Sequence, residues 1–155
     1  MKADFCVAVA LLFFASIYMG TGFGLVALQF PGALENTKPD DFGTRFGSAV
    51  RLATIYFTVA TTSMVVGGLW LAYRDWFSGG RALLPLIYAI LAASSATFTT
   101  RVIFPVNRRL VAGIPDIAVF RSTLRTWMRY TVIRFFIWLG EWLVMAGWLI
   151  MLVLQ

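Results

Sequence analysis

Hydrophobic positions along this chain gather into four long runs, and nearly all charged residues lie between or beyond them. A helix needs about 20 largely apolar residues to cross the hydrocarbon layer of a bilayer, and each run reaches that length. The first is uncharged from Phe5 to Leu34, and Phe30-Pro31-Gly32 predicts its end near Gln29. The second is uncharged from Leu52 to Tyr73. The third starts near Ala82, tolerates Pro85 in its first turn, and stays uncharged to Thr100, with Arg101 and Phe104 at its end. The fourth spans Val132 to Leu154, with Arg134 near its start and one charge well inside it, Glu141. The expected fold is an all-α integral membrane four-helix bundle, one domain over residues 1–155, with spans near 5–29, 52–73, 82–104 and 132–154.

Composition agrees with that pattern, because 60% hydrophobic and 13% charged residues leave too little polarity for a separate soluble domain. Lys2 before an apolar run resembles a signal peptide, but the run is about twice the usual apolar length of one, so a retained helix is expected. Cys6 stands alone and has no internal disulfide partner. The chain has no histidine, which removes axial haem ligands and the Glu-x-x-His pairs of di-iron bundles. No metal or other cofactor is expected.

An even number of spans puts both termini on one side, together with Lys2, Arg74 and Arg81. The opposite side carries Lys38, Arg45, Arg51, Arg101, Arg108, Arg109, Arg121, Arg125, Arg129 and Arg134. This asymmetry predicts cytoplasmic first and third loops and termini outside the cytoplasm. Most of the net charge of +6 belongs to the third loop; topogenic arginines explain it, and no nucleic-acid partner is expected. From Asp116 to Tyr130, residues Ile117, Phe120, Leu124 and Trp127 or Met128 recur at helical spacing, with Arg121, Arg125 and Arg129 on a neighbouring face. That segment is either an interfacial helix touching lipid phosphates or a downward extension of the fourth helix.

Gly20 and Gly24, with Gly22 between them, and also Gly67, Gly68, Gly140 and Gly147, are candidate contact seams between helices. Glu141 falls near mid-membrane, where an ionisable group is costly and usually functional. Arg134 lies seven residues earlier, about 10 Å along the helix, where a long side chain can approach that carboxylate. Trp138 and Trp142 flank Glu141 and are candidate pocket walls. Thr54, Thr58, Thr61 and Thr62, facing Ser94, Ser95, Thr97, Thr99 and Thr100, are either hydroxyls bonding helices together or the polar floor of a cavity with aromatic walls.

The segment FPVNRRL, with Pro105, Asn107 and Leu110, followed by Trp127, Thr131 and Arg134, resembles the anthrone-oxygenase-like family of small four-helix membrane proteins. There a proline-x-asparagine turn closes the third helix and a tryptophan-to-arginine motif opens the fourth. Thr131 stands where the family often carries asparagine or histidine. The resemblance implies a membrane-embedded site for an aromatic substrate and cofactor-independent oxidation by oxygen. Glu141 and Arg134 are then the candidate catalytic residues, and Arg101, Asn107, Trp127, Thr131, Trp138 and Thr58 the ligand-binding ones. Pro105, Asn107 and Arg134 equally suit structural roles, as helix stop, cap and headgroup anchor. Two functions follow as expectations: binding or turnover of a small aromatic or isoprenoid-like molecule, and a non-catalytic subunit packed against a larger membrane complex or further copies of itself. Membrane lipids are partners in both.

Overall fold

A computed structural model describes residues 2–77 and 82–154; Arg81, one of the basic residues in the topology argument, lies outside them. The chain is an all-α bundle, with no strand among the described residues. Helix α1 runs from Lys2 to Phe23 and widens into a π-type segment, Gly24–Gln29; a short turn, α2, covers Ala33–Asn36. Helix α3 spans Pro39–Phe77, α4 Leu83–Phe98, a second π-type segment Thr99–Ile103, α5 Phe104–Ala112, and α6 Ile117–Val153. Four segments are long and apolar enough to cross a membrane: Ala3–Gln29, Ala53–Phe77, Leu83–Ala112 and Ile117–Val153. Large apolar side chains such as Phe13, Val59, Ile90 and Leu143 face outward on all four. In water such a surface would aggregate, whereas in lipid it is already satisfied. This is a multi-pass membrane protein.

The helices are longer than their spans. With 39 residues in α3 and 37 in α6, each rod is roughly 55–58 Å long, against about 30 Å of hydrocarbon. The surplus sits on the arginine-rich side, where Phe42, Leu110, Phe120 and Leu124 form a small second core below the main one. The second helix therefore starts at Pro39, a favoured first position, ahead of its membrane-spanning part at Ala53–Phe77, close to the expected 52–73. The segment Asp116–Tyr130 is the extension of the fourth helix and no separate interfacial element. Asp116 caps it: one carboxylate oxygen accepts from the backbone N–H of Ala118 at 2.7 Å and of Val119 at 3.1 Å.

Both π-type segments precede a Phe-Pro pair. The N–H of Phe30 bonds back to Leu25 at 3.0 Å, and that of Phe104 to Thr99, each five residues back. A proline has no N–H and its ring crowds the preceding turn, so a widened turn accommodates it. Only the first pair ends its helix. Gly32 follows it with φ +81°, a left-handed turn open to glycine, whereas Val106 follows Pro105 and helix continues to Ala112. Pro105 is thus a widening point rather than a stop, and Asn107 lies within α5 instead of capping the third helix.

The main core joins α1, α3, α4 and α6 around Ala8, Leu11, Tyr18, Met64, Tyr88, Trp138, Met145 and Trp148. A Cβ on Gly68 would sit 3.0 Å from the Tyr88 ring and 3.1 Å from Ala89, and one on Gly22 2.8 Å from Phe135. With Gly67, where a Cβ would sit 2.8 Å from the Leu11 side chain, these glycines make the tight seams. Gly20 and Gly24, at the spacing expected for a seam, meet nothing.

Candidate functional site

Helix α6 presents two ionisable side chains to the bundle interior. The indole of Trp148 donates to Asp75 at 3.1 Å, which marks one aqueous boundary. Counting back along the helix, Glu141 lies about 10 Å and Arg134 about 21 Å inside it, both within a hydrocarbon layer of about 30 Å.

Arg134 faces a cavity of about 410 Å³ between α3 and α4, with α6 as its back wall. Its guanidinium lies over the Trp138 ring at 4.6 Å, a cation–π contact that holds its plane. Its Nε is buried and has no hydrogen-bond partner among the described residues. Trp138 is fixed in turn, its indole N–H donating to the Ser95 hydroxyl at 2.9 Å. The ring stacks on Phe57 at 5.8 Å and lies 5.1 Å from Tyr18. Tyr18 donates to the Phe57 carbonyl at 2.8 Å, so Thr61 is the donor in the Tyr18–Thr61 contact.

The threonines line the same space, including Thr58, Thr62, Thr97, Thr99 and Thr100. Most of their hydrogens are already committed to the preceding helical turn: Thr58 to Thr54, Thr62 to Thr58, Thr97 to Ala93 and Thr100 to Ala96, at 2.7 to 2.9 Å. They therefore offer lone pairs to the cavity rather than donors. Helix α3 meets α4 above it, at Gly68 against Tyr88, and α5 below it, at Gly47 near Val111. Between these contacts Thr58, Thr62, Val66, Thr97 and Thr100 are exposed, and the cavity opens sideways toward lipid.

Glu141 is placed differently. It is fully buried and neither carboxylate oxygen has a hydrogen-bond partner. It is absent from the cavity wall. The nearby tyrosines have other partners, Tyr18 on Phe57 and Tyr88 on the Leu11 carbonyl at 3.1 Å. No salt bridge joins it to Arg134 or Arg101. Trp142, expected as a pocket wall, instead donates to Ser16 at 3.0 Å.

Of the residues singled out from sequence, Arg134, Trp138 and Thr58 thus converge on one site. Arg101 lies on a separate shallow depression with Phe98 and Val102. Asn107 accepts from the Trp127 indole at 2.7 Å, which ties the proline-x-asparagine segment to the tryptophan-to-arginine segment at the second core. Thr131 is buried and donates to the Trp127 carbonyl at 2.9 Å. Sequence reasoning missed Tyr18 and Phe57; the signal for Tyr18 was a single phenol in an uncharged span. Among the described residues no three acidic or cysteine side chains converge as metal ligands.

Comparison with protein-family models, with curated proteins and with solved structures gives no match.

Proposed function

We propose that this protein binds a small hydrophobic molecule drawn from the bilayer into the cavity between α3 and α4. What supports the reading is the guanidinium of Arg134 in the wall of a 410 Å³ space, lying over Trp138, its buried Nε without a hydrogen-bond partner and its charge without an ion-pair partner among the described residues. A cation inside a membrane is costly, and proteins retain one there for work. The volume lies toward the lower end of small-molecule sites, and aromatic walls with a few convergent polar groups are their usual construction. A lateral opening suits a ligand that dissolves in lipid. The arginine-rich end, by the charge asymmetry of the loops, faces the cytoplasm.

Purification in mild detergent followed by native mass spectrometry tests this. Wild-type protein is expected to retain a small hydrophobic molecule that Ala96→Phe, which fills the cavity, releases; equal retention by both would sink the proposal. The resemblance adds a catalytic version, in which an enolate oxygen held at Arg134 is stabilised while the substrate reacts with oxygen. Oxygen uptake with an anthrone, lost in Arg134→Gln, is the outcome that supports it. A partner protein recovered in fixed ratio, with no small molecule present, favours the accessory-subunit role instead.

A further inference from the structure

We propose that the occupant of this cavity is a hydrophobic carboxylate, whose tail enters between α3 and α4 and whose head pairs with Arg134. The inference rests on reading the cavity as a binding site and adds the chemical class of what it holds.

The argument is one of donors and charge. Of the hydroxyls in the wall, those of Thr58, Thr62, Thr97 and Thr100 spend their hydrogens on backbone carbonyls, and Thr61 spends its own on Tyr18. Ser95, which accepts from Trp138, and Thr99 donate to no described acceptor. The strong donors left to a ligand are therefore the guanidinium of Arg134 and two hydroxyls. A neutral ketone or alcohol would leave the cation unneutralised in a low-dielectric site, where an unpaired charge is most costly. A phosphate monoester would bring about two negative charges to one cation. A carboxylate matches in charge, and its two oxygens fit the parallel N–H donors of a planar guanidinium. Stacking on Trp138 at 4.6 Å orients that fork before any ligand arrives. The rest of the wall, Phe57, Val65, Val66, Ala93, Ala96 and Phe104, is apolar, as a hydrocarbon tail requires.

The test uses full-length protein in phosphatidylcholine nanodiscs at about pH 8, above the ordinary carboxylate range. Two probes share one chain: a medium-chain fatty acid brominated at its far end, and the corresponding brominated alcohol. Saturable quenching of tryptophan fluorescence reports binding. The acid is expected to bind about tenfold or more tightly than the alcohol, a difference of at least about 1.4 kcal/mol. Arg134→Gln should bring the acid down to the alcohol, Arg134→Lys should fall between, and Ala96→Phe should remove saturable binding of both. The acid–alcohol comparison in unmutated protein does not depend on any variant folding. Equal affinities there, an acid preference that survives Arg134→Gln, or no saturable binding of the acid, overturns the carboxylate assignment. If the affinities are equal yet Ala96→Phe still removes both, the cavity stands as a site and only its ligand class falls. Binding that ignores Ala96→Phe overturns both.

Discussion

Glu141 and Arg134 sit two helical turns apart on one helix, each with a buried polar atom that lacks a partner, yet their surroundings differ. Around Glu141 the bundle is closed: Tyr18 and Tyr88 crowd in from α1 and α4 with their hydroxyls bonded elsewhere. Around Arg134 it is open, because a cavity lies between α3 and α4 beyond their contact at Gly68. A lone buried ionisable group thus has two readings. Beside a void it is an offer to a ligand, and inside close packing it is a cost borne by the fold.

Trp138 separates the two regions, so its loss should damage both. Trp138→Ala is expected to lower thermal stability by about 3 kcal/mol and to abolish saturable quenching by the probes; unaltered unfolding would show that the ring does not hold the wall. Next in size is Gly68→Val. Its side chain would press on Tyr88 and Ala89, spreading α3 from α4 at a cost of about 2 kcal/mol. The same variant should widen the window and accelerate ligand exchange, which stopped-flow quenching can read.

Glu141→Leu sharpens the contrast most directly. Replacing an unpartnered buried carboxyl by an apolar side chain of similar size should leave stability unchanged or raise it by about 1 kcal/mol, with ligand affinity unaltered. A large loss of affinity would mean that Glu141 serves the cavity after all. An effect of similar size is expected at the second core. Asn107→Ala removes the acceptor of the Trp127 indole and should cost about 1 kcal/mol, detected by unfolding while probe binding holds.

Much of the fold was legible because a membrane imposes a simple rule on sequence: long apolar runs span, and most arginines gather beyond their ends. The boundaries were less legible. Residues 39–52 read as loop since their polarity breaks the apolar run, yet a helix that leaves the membrane keeps its hydrogen bonds and only changes solvent. Pro105 read as a stop because proline usually is one; the widened turn at Thr99–Ile103 absorbs it. Within the site, Arg134, Trp138 and Thr58 were recognisable as polar or aromatic exceptions in apolar helices. Tyr18 and Phe57 were not, since an aromatic residue in a span resembles any other until a neighbour is placed against it.

Sequence alone determined the four spans, the gathering of arginines at one end and the presence of Arg134 and Glu141 within the last apolar run, because transfer into lipid is a cost each residue bears individually. Which of those groups meets a cavity was decided only by tertiary structure. That choice depends on how far apart two other helices stand at the same depth, and the spacing is set by contacts such as Gly68 against Tyr88, between residues distant along the chain.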